Sequence, residues 1–240
     1  MSKLSTSVDI SLLFEGDFRL DATYYESNVF LAKVALQDAE DRGIEISKIK
    51  SFSTGTFNPP PIKRAYTDNT KIGTPYMLPQ EMFDFYWSAR KHVVAEKMPD
   101  IQSWFLKEGW VVLTQSGSVG KPYFASKDDE KVVLSQNAIR IPCEDAEIGG
   151  YIYAFLSTWI GQTLLKKDEF GITVKHIRPN QVDELPIPNF IDSKKRSIGR
   201  KVKKAFELRQ QAIKLLNEAK KEIYAELDVE EQILDEDLDT

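Results

Sequence analysis

The chain is poor in the residues from which disulfide and metal chemistry is built: 240 residues hold one cysteine, Cys143, and two histidines. A lone cysteine excludes an internal disulfide framework, and one cysteine with two histidines leaves no zinc-ligand set at the usual spacings. Cys143 therefore reads as buried filling. Long apolar runs are missing as well. No stretch reaches the roughly 18 residues of a membrane span, and the polar start MSKLSTSVD lacks a signal-peptide core, so a cytoplasmic location is expected. Positive charge is not in excess either. The net charge is −5, so a nucleic-acid-binding face must be a local patch.

A nucleotide-binding loop is also absent, although LTQSGSVGKPYF at 113–124 suggests one. A P-loop reads G-x-x-x-x-G-K-[ST], with the lysine entering a helix whose N-terminal amides hold the phosphates. Gln115 stands where the first glycine belongs and Pro122 where the hydroxyl residue belongs. Pro122 also biases Lys121 toward extended geometry. What remains is an apolar run, Trp110 to Leu113, a Ser-Gly-Ser-Val-Gly turn, and a returning aromatic pair, Tyr123 and Phe124. Nor is there an Asn/Asp-Pro-Pro-Tyr motif of the amino-methyltransferase type, since the only Pro-Pro run, NPPPIKRAY, offers Ile62 where an aromatic should stack. His176 has Asp183 and Glu184 nearby in sequence, which allows a hydrolase or transferase reading, but no matched nucleophile accompanies them.

What is present is organised unevenly. Residues 228–240 carry seven acids and no base, and read as an acidic tail, whereas residues 191–227 carry eleven bases against five acids. Within the latter, Ile198, Val202, Ala205, Ala212, Leu216, Ala219 and Ile223 recur at heptad spacing, with Arg209 in the place the pattern skips. The spacing predicts one helix over 194–227, able to pair with a second helix or to pack on the chain's own body. Residues 1–190 read as a single mixed α/β domain. A helix is predicted over Asn28–Arg42 with Gly43 just past its end. Short apolar runs follow at 44–52, 110–114, 132–134 and 138–141. GGYIYAFLSTWIGQTLLKK at 149–167 predicts one buried helix, with Ile152, Phe155, Leu156, Trp159 and Leu164 inward.

Between the first two apolar runs lies a segment read as a loop, stiffened by three prolines. It presents Lys63, Arg64, Tyr66 and Lys71, and later Arg90, Lys91 and His92. Interleaved basic and aromatic groups of this kind suit phosphate contact and base-edge reading, and an ordinary exposed loop is the alternative.

The stretches RLDATYYES (19–27), GWVVLTQSGSVGKPYF (109–124), SQNAIRIP (135–142), GYIYAFLSTWIGQTLL (150–165) and FGITVKHIRPNQVDELPIP (170–188), with the closing helix, resemble in the same order the specificity subunits of type I restriction-modification systems. The resemblance implies a DNA target recognition domain over 1–190 and, over 191–227, a long helix for coiled-coil dimerisation or methyltransferase docking. The chain itself would be non-catalytic, within a phage-defence complex that methylates adenine and cleaves DNA. S-adenosylmethionine is then expected in the methyltransferase partner, and a restriction subunit is a further expected partner. The Ser-Gly-x-x-Gly turn would bring Ser116, Gly117, Gly120 and Lys121 to DNA, with Tyr123, Lys175, His176 and Arg178 beside them; the alternative is a turn that only shapes a hairpin. Members usually carry two recognition domains, whereas this chain shows one, which suggests a half subunit that pairs with a copy of itself or with another half. A stand-alone DNA-binding regulator with a helical arm is the competing expectation.

Overall fold

The computed structural model describes residues 27–115, 118–167 and 176–229. Its first helix, α1 (Ser27–Asp41), buries Val29, Ala32, Leu36 and Ala39 at helical spacing. Gly43, with φ +82°, ends it as expected.

The middle of the body is an antiparallel three-stranded sheet of β5 (Val111–Thr114), β6 (Pro122–Phe124) and β8 (Ala138–Ile141), in the order β6-β5-β8. Every residue of β5 and β8 is buried, which is why both read as continuous apolar runs without alternation. The two faces nevertheless serve different cores. Val111, Leu113, Ile139 and Ile141 meet α1, α2 (Ala146–Leu156) and α3 (Trp159–Lys167), while Val112 and Ala138 meet Met77, Met82, Tyr123 and Leu134.

The segment read as a loop instead contributes three short strands to a second sheet. β2 (Tyr66–Thr67), β3 (Thr74–Met77), β4 (Lys91–Val93) and β7 (Val133–Leu134) form a sheet in the order β2-β4-β3-β7 around a third core of Tyr76, Val93, Met98, Ile101, Trp104 and Val133. Strands this short carry too few residues to show period-two patterning. A two-stranded antiparallel pair, β1 (Ile46–Lys48) with β9 (Pro186–Pro188), closes the far side of the first core. It is preceded by a short helix α4 (Pro179–Asp183).

The single helix expected over 149–167 is two. Thr158 ends one and starts the other: its hydroxyl donates to the Phe155 carbonyl at 2.7 Å and accepts from the Gly161 N–H at 3.1 Å. Threonine at such a break competes with the helical ladder for the backbone. The break turns Trp159 outward, 54% exposed, against the expectation that it lies inside.

The final helix, α5 (Asp192–Glu226), is 35 residues long, and its first half packs on α2. The helices approach backbone to backbone. A Cβ on Gly199 would lie 1.7 Å from the Glu147 carbonyl oxygen, and one on Gly150 would lie 2.7 Å from that of Gly199. Ile198 packs against the first core, and Phe206 enters an aromatic cluster at centroid distances of 5.7 Å from Tyr123, 5.3 Å from Phe124 and 5.3 Å from Tyr153. The uniform heptad seam is thus corrected. Phe206, outside the seam, points inward; Ala205, inside it, is exposed; and Arg209 leaves the seam to donate to the Asp84 carbonyl at 2.6 Å. Packing on the chain's own body, the alternative left open by the spacing, applies to the first half. Further along, Leu208, Leu215, Leu216, Ile223 and Leu227 are exposed, with Ala212 half-buried and Ala219 exposed beside them.

Candidate nucleic-acid interface

The expected DNA contacts divide into several places. Lys63, Lys71, Arg90 and Lys91 are exposed, Arg64 is half-buried, and none of the five forms an ion pair among the described residues. Strand pairing sets Thr67 opposite His92, so Tyr66, Arg90, Lys91 and His92 line one recess between β2 and β4. Tyr66 presents its ring there, edge-on to Tyr76 at 5.8 Å. Residues 58–94 carry five bases and three acids, so this edge is locally positive in an acidic chain.

Beside it lies a polar cluster that the sequence did not flag. Asn58 donates through Nδ2 to Gln115 Oε1 at 3.1 Å and to the carbonyls of Gln136 at 3.1 Å and Ala138 at 2.8 Å. Arg64 donates to Gln136 Oε1 at 3.0 Å and lies over the rings of Tyr76 and Trp104, 5.8 and 5.9 Å from their centroids. Gln115 reaches the Ile177 carbonyl at 3.5 Å, and Thr56 ties the same loop to α4 through Pro179 and Asp183. Loops remote in sequence are thereby drawn to one edge. The turn carrying Gln136 rests on Arg140, fully buried, whose guanidinium donates to the carbonyls of Leu134 at 2.6 Å, Ser135 at 3.0 Å and Ala138 at 2.6 Å. Burial lowers the proton affinity of that guanidinium, and carbonyl dipoles take the place of a carboxylate.

The glycine turn proves to be architectural where it is described. Gly120 adopts φ +74°, its N–H donates to the Thr114 carbonyl at 2.8 Å, its carbonyl accepts from Gln162 at 2.9 Å, and Leu165 covers it so closely that a Cβ would come within 2.5 Å. Its amide is spent inside the protein and does not face a phosphate. Ser116, Gly117 and Lys175 lie outside the described residues. Lys121 is exposed, its ammonium 3.7 Å from the Phe83 ring centroid, in a recess shared with Asn137.

Tyr123 must be withdrawn as a DNA contact. It is buried, and its hydroxyl donates to Asp129 at 3.0 Å. Burial first, and then the Asp129 charge, push the phenol far up; Asp129 itself, buried and accepting from the Ser126 N–H and hydroxyl at 2.7 Å each, is raised by desolvation. This pair is a core clasp. Arg178 is exposed at the start of α4, and His176 is half-buried.

The two carboxylates near His176 in sequence are each engaged by other groups. Lys48 first and then Lys50, bonded at 2.5 and 2.6 Å, hold the exposed Glu184 carboxylate down at about 2, and Asp183 accepts from the Thr56 N–H at 3.2 Å. Cys143 is buried, and burial pushes its thiol up to about 12. No group of three His, Cys, Asp or Glu side chains suited to a metal occurs among the described residues, and none of their helices is long and apolar enough to cross a membrane.

No family model matches the chain, and no curated protein matches it in sequence. Among solved structures it is similar to the S subunit of a type I restriction-modification system from M. genitalium, with 17% identity and a TM-score of 0.45, over 76% of this chain and 44% of that one. It is similar to a chain from a study of assembly and conformational transition in the type I R-M system, with 14% identity and a TM-score of 0.47, over 91% and 54%. A third similarity is to the HsdS subunit of Thermoanaerobacter tengcongensis, with 14% identity and a TM-score of 0.43, over 87% and 50%. The chain spans about half the length of these structures.

Proposed function

We propose that this chain is the DNA sequence-recognition subunit of a type I restriction-modification complex, non-catalytic itself, with its body reading one half of a split target. One observation carries the reading. A mixed α/β body carries exposed cations that form no ion pair among the described residues, a cluster of amides beside Arg64, and a 35-residue helix whose far half exposes apolar residues. Cations of that kind position a duplex through its phosphates, and amides and guanidinium groups discriminate base edges. The ordered sequence blocks described above support the same assignment. In this reading Leu215, Ile223 and their neighbours meet a second copy or another half subunit, which sets two bodies apart on the DNA. A methyltransferase subunit supplies S-adenosylmethionine and the chemistry, and a restriction subunit joins that assembly.

The test is recovery of the tagged full chain from its own cells, followed by binding to duplex DNA. A methyltransferase subunit should co-purify. Binding should weaken steeply with salt, and alanine at Lys63, Lys71, Arg90 or Lys91 should each lower the salt slope by about one unit where the residue meets a phosphate. The isolated chain should transfer no methyl group to DNA from S-adenosylmethionine. Sequence-selective binding by the chain alone, with no methyltransferase recovered, would instead favour a regulator that pairs through its helix. Methyl transfer by the chain alone would refute the non-catalytic assignment.

A further inference from the structure

The amide cluster beside Arg64 has a directional chemistry. A guanidinium only donates, so the Gln136 side chain must turn its oxygen toward Arg64, at 3.0 Å, and its NH2 group away. That NH2 group is neither buried nor bonded among the described residues. The neighbouring glutamine repeats the pattern: Gln115 Oε1 is taken by Asn58 at 3.1 Å. Both glutamine oxygens therefore point to donors inside the protein, each accepting one bond there. The carbonyls of Gln136 and Ala138 are occupied by Asn58, and those of Leu134 and Ser135 by Arg140.

The arrangement is also held in place before any ligand arrives. Arg64 is fixed between its contacts with the Tyr76 and Trp104 rings and its bond to Gln136, and its Nε is buried without a partner. The turn under Gln136 is fixed by Arg140. Exposed Lys63 adjoins and adds a further donor.

We propose that the Arg64–Gln136 pair is a base reader that selects guanine, because it turns hydrogen-bond donors outward and directs its one side-chain acceptor, Gln136 Oε1, at Arg64. In the major groove guanine presents two acceptors, N7 and O6; adenine and cytosine each present an amino donor that would face the outward NH2 group of Gln136, and thymine presents one acceptor beside a methyl group. This assignment rests on the DNA-reading function proposed above and adds the identity of one base to it.

The experiment selects a randomised duplex pool on the full chain, wild type and variants, and sequences what is retained. The wild type should enrich a motif containing guanine. Gln136→Leu, which keeps the bulk and removes the donors, should lower the preference at one guanine by about tenfold while leaving the other positions selected, which also shows that the variant is folded. Gln136→Glu should move that position toward a base with an amino donor. A measurement without protein mutation guards against a misfolded variant: replacing that guanine by 7-deazaguanine removes N7, and should weaken wild-type binding but cost Gln136→Leu nothing further. A motif without guanine, or one unchanged in Gln136→Leu and Arg64→Met, overturns the guanine assignment while DNA reading stands. No enriched motif for the wild type overturns both.

Discussion

The two halves of α5 share a helical periodicity and differ in fate. Between Asp192 and Gln211 the helix is tied to the body: Gly199 lies against α2, Phe206 among three aromatic rings, Lys203 against Glu108 at 3.1 Å, and Arg196 against Asp145 and Glu147. Beyond that point the ties thin to a Lys214–Asp128 pair at 3.7 Å and the Lys220 ammonium 4.5 Å from the Tyr86 ring centroid, while Leu215 and Ile223 stay 64% and 59% exposed. Helical periodicity does not distinguish a stripe that meets its own body from one that meets a partner. What separates them is contact with small residues: where glycine meets glycine the helix sinks onto α2, and where alanines face solvent its apolar residues stay exposed.

The largest effect on this contrast should come from Gly199→Ala. Helix propensity alone would favour alanine by about 1 kcal/mol, yet its Cβ would lie 1.7 Å from the Glu147 carbonyl oxygen. The clash should win and destabilise the body by about 2–4 kcal/mol, read by urea unfolding. A neutral or stabilising result would mean that the helices separate easily. Phe206→Ala comes next, with a loss of about 2–3 kcal/mol, at the low end for a deleted phenyl ring because the residue is only half-buried. Alanine at Leu208, two positions on and exposed, should change unfolding by less than about 0.5 kcal/mol.

Arg196→Ala should cost little, because its ion pair with Asp145 is more than a third exposed and screened. Its pH dependence identifies the partner. Partial burial raises the Asp145 carboxyl, but the bonds from Arg196 and from the Glu147 N–H outweigh burial and leave it below the usual 3.8. A lowered carboxyl stabilises the fold above its unfolded pKa, and that contribution is lost as pH falls through the folded one. The gap between wild type and Arg196→Ala should therefore close in acid, in thermal melts from neutral pH down to the range below 3.8. The smallest effect on the body belongs to Leu215→Asp with Ile223→Asp: its unfolding should not move, whereas self-association or capture of a partner through the helix should be lost on sedimentation. An equal loss of body stability would erase the distinction between the halves.

Much of this was legible in the residues. The spacing of Val29, Ala32, Leu36 and Ala39 with Gly43 placed α1 to within a residue, the apolar runs placed β5 and β8, and the glycine-poor, proline-free stretch after Ser193 predicted a helix close to Asp192–Glu226. Of the candidate site, the exposed cations Lys63, Lys71, Arg90 and Lys91 were readable because charge must stay near water. Tyr123 was misread, since an aromatic after a turn looks the same in sequence whether its hydroxyl meets solvent or a buried carboxylate.

The sequence alone determined the periodic elements, the sign and location of the charge clusters, and the chemistries for which the ligands are missing, because those depend on residue type and short-range spacing. The tertiary structure decided the rest. Asn58, Gln115 and Gln136 became one cluster, Gly150 and Gly199 one crossing, and Phe206 instead of Ala205 the inward side of α5. Each depends on a contact between segments tens of residues apart, where geometry selects the partner and local pattern carries no information about it.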